Sequence, residues 1–88
     1  MIPLKVISTE AFLLNYRRLP KSIQMICDVQ LDRLEENPVD PRLQRKKLKG
    51  QKGLYSIRVT RRYRALFFIN QAQTIVVFAI DHRKDVYR

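Results

Sequence analysis

Two arginines carry the first suggestion of chemistry in this sequence, because of where an alternating pattern places them. Tyr55, Ile57 and Val59 alternate with Ser56, Arg58 and Thr60, and Tyr63, Ala65, Phe67 and Ile69 alternate with Arg64, Leu66 and Phe68. A period of two is that of a half-buried strand, so one set faces a core and the other faces away. A tight turn through Thr60, Arg61 and Arg62 then sets Arg58 and Arg64 on neighbouring strands of one open face. Two guanidinium groups side by side repel unless an anion lies between them, and bidentate phosphate binding is what arginine does best. Spacing alone fits two solvated surface arginines equally well. Beyond the last apolar strand, the run Asp81-His82-Arg83-Lys84-Asp85-Val86-Tyr87-Arg88 adds a histidine, carboxylates and a tyrosine. Histidine is the side chain that ordinarily titrates near neutrality, which makes His82 an acid–base candidate. A structural histidine closing the sheet edge fits its position as well. One Cys and one His cannot build a structural zinc site, and Asp81 and Asp85 are the only acids in the second half, too few for a magnesium site. No metal and no cofactor is therefore expected.

The charge around these residues is unevenly held. Of the net +10, residues 1–41 contribute five basic groups against six acids, whereas residues 42–88 contribute thirteen against two. Concentrating positive charge costs self-repulsion, and the commonest reason to tolerate it is a polyanionic partner. Nucleic acid comes first, an acidic protein second and a membrane surface third. The membrane reading is weak, because the basic region reads as strand and loop rather than as a basic amphipathic helix. No apolar run approaches the ~20 residues needed to span a bilayer as a helix. The start of the chain lacks the pattern of a signal peptide, and the lone Cys27 cannot form an internal disulfide, so a cytoplasmic location is expected.

The elements that must position the arginines follow from the rest of the pattern. At 88 residues the chain can build one small core, so a single domain over residues 1–88 is expected. Leu4 to Ile7 reads as a short strand, and Ser8-Thr9 can cap a helix running from Glu10 to about Leu19 with Phe12, Leu13 and Tyr16 on one side. Pro20 suits the first turn of a second helix, whose apolar stripe is Ile23, Ile26, Cys27, Leu31 and Leu34, and Pro38 ends it. Cys27 lies on that stripe and reads as core rather than as a reactive thiol. Residues 38–53 read as a basic connection closed by Gly50 and Gly53. Three strands of a meander follow, from Tyr55 to Val59, Tyr63 to Ile69 and Thr74 to Ile80, the last two apolar on both faces. The sum is an α+β domain: two N-terminal helices packed on an antiparallel sheet of about four strands, with the first strand at an edge.

Taken together, Lys47-Leu48-Lys49-Gly50, Gly53-Leu54-Tyr55-Ser56-Ile57-Arg58-Val59, Tyr63-Arg64-Ala65 and the run from Asp81 to Arg88 resemble the RelE/ParE toxin superfamily over nearly the whole chain. The resemblance implies the toxin half of a bacterial toxin–antitoxin pair with a microbial-RNase-like fold, a curved sheet with helices on one side and a basic face on the other. One branch cuts messenger RNA in the ribosomal A site, and the other inhibits DNA gyrase without nuclease residues. Carried over by motif, Arg64 and Arg83 match arginines acting on the scissile phosphate, Tyr87 matches a C-terminal catalytic tyrosine, and Arg58 a basic strand position. Ser56 departs from the pattern, since several such enzymes have a second lysine there, which leaves the general base to Lys47, Lys49, His82 or Asp85. The implied catalytic set is Arg58, Arg64, Arg83, Tyr87 and His82, with Lys47, Lys49, Lys52, Arg61 and Arg62 binding RNA. The chemistry is attack of a 2′-hydroxyl on the neighbouring phosphate, in which permanently charged arginines stabilise the extra negative charge. Tyr87 either moves a proton, as a phenolate favoured by surrounding cations, or stacks on a base. The implied partners are a cognate antitoxin, covering apolar surface at the sheet edge or first helix, and the ribosome with its message. A gyrase inhibitor has no need of Arg83 and Tyr87 beside Arg64, so their joint presence favours the nuclease. A plain RNA-binding module is a third reading.

Overall fold

The computed structural model describes residues 4–82, in which two helices lie on one face of a five-stranded sheet. In chain order these are β1 (Val6–Ser8), α1 (Glu10–Arg17), α2 (Lys21–Glu36), a 3-10 turn at Pro41–Leu43, β2 (Lys46–Lys47), β3 (Tyr55–Arg58), β4 (Tyr63–Ile69) and β5 (Ile75–His82). The strand order is β1-β5-β4-β3-β2, antiparallel throughout except that β1 runs parallel to β5. The architecture is the α+β one expected. The extra strand is β2, two lysines inside the basic connection of 38–53, paired as Lys46 with Ser56 and Lys47 with Tyr55. So short and polar a strand has no alternation to betray it, because its place is set by the edge of β3.

Local rules explain the helices. Thr9 takes the N-cap of α1 in extended backbone, and its Oγ1 accepts the Phe12 amide at 3.2 Å. Glu10 in the first turn and Arg17 in the last complement the helix dipole. Pro20 caps α2 from outside rather than entering its first turn. The apolar stripe of α2 also differs from the expected one: Cys27 and Leu34 are fully buried, but Ile26 is 42% exposed and Gln30, at 5%, takes the buried place. The phenol of Tyr16 donates to Asp28 Oδ1 at 2.7 Å and ties α1 to α2, and that bond, aided by desolvation, pushes Tyr16 up to about 12.

Between helices and sheet lies the core of Phe12, Cys27, Leu34, Leu43, Ile57, Ala65, Phe67, Ile75, Val77 and Ile80. Burial pushes the Cys27 thiol up to about 12, consistent with a small core hydrophobe. A bulge interrupts the β4–β5 pairing: Leu66 pairs with Ala79 but Phe67 with Val77, which leaves Phe78 as the additional residue. On the outer surface of the helices, Leu13, Leu14, Met25, Ile26 and Val29 are exposed. Among the described residues no helix is long and apolar enough to cross a membrane.

Candidate anion-binding site

The pairing register assembles the site on the face turned away from the helices. Arg58 of β3 and Arg64 of β4 share a face, as the alternation predicts, and stand directly opposite one another; Lys46 of β2 stands opposite Ser56, two residues before Arg58 on the same face. Residues Gln44, Lys46, Arg58, Thr60, Arg61 and Arg64 together line a cavity of about 70 Å³. Four of these six are cationic and none is a carboxylate, so the cavity suits a small anion such as a phosphate group.

The two arginines differ in how they are held. Arg64 is not on an open surface, being only 5% exposed. Its Nε donates to Ser56 Oγ at 2.8 Å, and its Nη2 donates to the carbonyls of Gln44 and Ser56. A buried guanidinium with fixed partners is a preorganised donor, with little rotamer entropy left to lose when an anion arrives. Arg58 is half-buried, and its Nη1 donates to Gln44 Oε1 at 3.1 Å. Gln44 thus holds both arginines, one through its backbone and one through its side chain. It does so from the left-handed region, at φ 46 and ψ 51, where it closes the 3-10 turn.

That turn is fastened from two sides. From α2, Gln30 Nε2 donates to the carbonyls of Arg42 at 3.1 Å and Arg58 at 2.6 Å, while its Oε1 accepts from Arg33. Asp40 caps the turn through the Arg42 amide and takes the Arg42 guanidinium on both carboxylate oxygens. This guanidinium, with the backbone bond, holds the Asp40 carboxyl down at about 2, against an ordinary 3.8. A carboxyl whose folded value is depressed stabilises the fold fully above the ordinary value and loses that contribution as pH falls through the folded one. In denaturant unfolding, Asp40→Asn should therefore be less stable than the parent at neutral pH, with the gap closing between about pH 4 and about pH 2. A gap that stays constant with pH would show that the Asp40–Arg42 pair does not anchor the turn.

The family follows from the whole chain. A model described as the ParE toxin of the type II toxin-antitoxin system, parDE, matches residues 6–87. The chain belongs to the ParE toxin family. Similar solved structures include the RelB-RelE antitoxin-toxin complex of Methanococcus jannaschii, at 23% identity over 92% of this chain and 94% of that one, with a TM-score of 0.76. The RelE-RelB complex of Pyrococcus horikoshii is similar at 24% identity over 94% and 97%, TM-score 0.75. The RelBE2 complex of Mycobacterium tuberculosis is similar at 27% identity over 93% and 100%, TM-score 0.72. Among curated protein sequences none matches. The toxin fold and the RelE/ParE superfamily expected from the strand and loop motifs are therefore those of this chain.

Within this ParE-family toxin the candidate residues separate. Arg58, Arg61 and Arg64 meet at the cavity. Arg62 is exposed in the same turn, its amide on Thr60 Oγ1 at 3.1 Å. Lys47, pairing with Tyr55, belongs to the alternate face of β2, and with Lys52 it borders a separate open depression around Gly50, Gly53 and Tyr55; Lys49 is exposed in the intervening loop. His82 is the last residue of β5 rather than a residue beyond it, and it pairs with Tyr63 on the helix-side face, its ring edge-on to Tyr63 at 5.6 Å. Asp81, not His82, stands opposite Arg64. Arg83, Asp85 and Tyr87 lie outside the described residues. Sequence reasoning missed Gln30, Gln44 and Lys46. Only Lys46 had a signal, since a strand recognised at β2 would have put one lysine of the pair on the arginine face.

Proposed function

We propose that this ParE-family toxin is an endoribonuclease that cuts messenger RNA on the ribosome by attack of a 2′-hydroxyl on the adjacent phosphate, and that a cognate antitoxin neutralises it in the cytoplasm. The observation that carries the reading is the cavity lined by Arg58, Arg61, Arg64 and Lys46, four cations gathered around one small space. Attack on a phosphodiester adds negative charge at phosphorus, and fixed cationic donors favour that charge at no cost of reorganisation. Arg83 and Tyr87, carried over by motif, complete the set; His82, across the sheet, serves the sheet edge. Apolar residues left exposed on the helices, Leu14, Met25 and Val29 among them, support an antitoxin segment covering them.

The second reading, inhibition of DNA gyrase without nuclease activity, is favoured by the matching family model, which is that of ParE. One pair of assays separates the two. Primer extension on a translated message should show new 5′ ends only when the purified toxin is present, and supercoiling by purified gyrase should be unaffected. Intact message together with blocked supercoiling would establish the gyrase reading instead.

A further inference from the structure

Cleavage of a phosphodiester by the neighbouring 2′-hydroxyl expels the 5′-oxygen, which must take up a proton. Among the described residues the cavity holds few groups able to give one. A guanidinium keeps its protons at any working pH, which removes Arg58, Arg61 and Arg64 as donors, and a neutral amide or an ordinary hydroxyl, as in Gln44 and Thr60, is far too weak an acid. The remaining lining group is Lys46, whose side-chain type carries a proton it can surrender and regain. The register brings it within range. Lys46 pairs with Ser56, so Arg58, two residues on and on the same face, is its diagonal neighbour, and such neighbours lie about 7–8 Å apart at their Cα atoms, within reach of long side chains. Lys47, one residue later, is turned to the other face by the same pleat.

Resting on the RNA-cleavage reading, we propose that Lys46 is the general acid of this toxin. The 2′-hydroxyl gives its proton to a solvent base and its oxygen bonds to phosphorus. The bond from phosphorus to the 5′-oxygen breaks with its electron pair going to that oxygen, which takes a proton from the Lys46 ammonium. The products are a 2′,3′-cyclic phosphate and a 5′-hydroxyl, and the Lys46 amine regains its proton from water. Arg58 and Arg64 hold the phosphate and carry its charge.

The test compares parent, Lys46→Ala and Lys46→Arg on programmed ribosomes carrying two messages. One has the natural 5′-oxygen at the cleaved bond and the other a bridging 5′-sulfur, a leaving group that needs no proton. On the oxygen message Lys46→Ala should be slower by about 10²- to 10⁴-fold, and Lys46→Arg should be as slow, because it restores the charge without a transferable proton. On the sulfur message both variants should return to near the parent rate. Lys46 is exposed, so the variants should melt with the parent, and a matched melting temperature confirms that the rates report chemistry. Recovery of oxygen cleavage in Lys46→Arg, or equal loss on both messages, would show that Lys46 supplies only charge and would overturn the proposal. If the parent cleaves neither message, the RNA reading itself falls and the assignment falls with it.

Discussion

Arg64→Ala should abolish growth inhibition and slow cleavage by about 10²- to 10³-fold, the usual cost of one transition-state donor. Arg64 is the better held of the two paired arginines, with Ser56 Oγ on its Nε and the Gln44 carbonyl on its Nη2. Its guanidinium is therefore aimed before any substrate arrives. Arg64→Lys keeps the charge, but a single ammonium on a flexible stem cannot occupy both partners and still present a planar fork, so it should stay impaired. Because Arg64 is buried, its loss also leaves Ser56 and Gln44 without their donor, at about 1–3 kcal/mol for an unsatisfied buried group. Circular dichroism and binding of the antitoxin separate that cost from lost chemistry: both should survive in Arg64→Lys while activity does not. Undiminished growth inhibition by both variants would remove the arginine pair from the toxic mechanism.

The largest effect on stability is expected at Phe67. Its ring is 0% exposed in the middle of β4, stacked on Tyr55 at 5.5 Å between centroids and surrounded by the helix-side core. Phe67→Ala removes that packing and leaves a cavity, at about 3–5 kcal/mol. A domain of this size has a total stability of only about 4–13 kcal/mol, by the usual figure per residue, so the variant should be largely unfolded on mild heating. Denaturant unfolding measures the loss directly, as a fall in midpoint at unchanged slope. Toxicity should fall with it, as in Arg64→Lys, but here antitoxin binding should fall too. A loss under 1 kcal/mol would mean that the core is not the one described.

The local elements were legible in the sequence because each rests on short-range physics. Thr9 before Glu10 marks a helix start, Pro38 a helix end, and the period of two from Tyr55 to Ile69 fixes which residues of β3 and β4 share a face. From those rules Arg58 and Arg64 fall on one face of neighbouring strands; the register sets them directly opposite, and burial closes over Arg64. The motifs of the second half carry the family. What they do not carry are features set by contacts distant along the chain. The β2 strand exists because the edge of β3 accepts it, and without it Lys46 and Lys47 are indistinguishable lysines of one basic run.

The bulge in β5 is the clearest case. Strict alternation from Ile75 and Val77, which face the core, would put Asp81 on the helix side and His82 among the arginines. The additional residue Phe78 reverses the order, so that Ile80 and His82 face the helices and Asp81 stands opposite Arg64. No local propensity announces that slip, since it is settled by how β4 and the helices pack against β5. Gln30 and Gln44 were hidden for the same reason. One is a polar residue inside an apolar helix face and the other a left-handed turn residue, and each finds its partners in carbonyls and guanidiniums of the 3-10 turn, β3 and β4. The helices, the three-strand meander and the chemical character of the basic face follow from residue type and spacing. Which cations share a cavity, and how firmly each is held, emerges only on folding, because strand register and the burial of polar groups depend on partners far away in the chain.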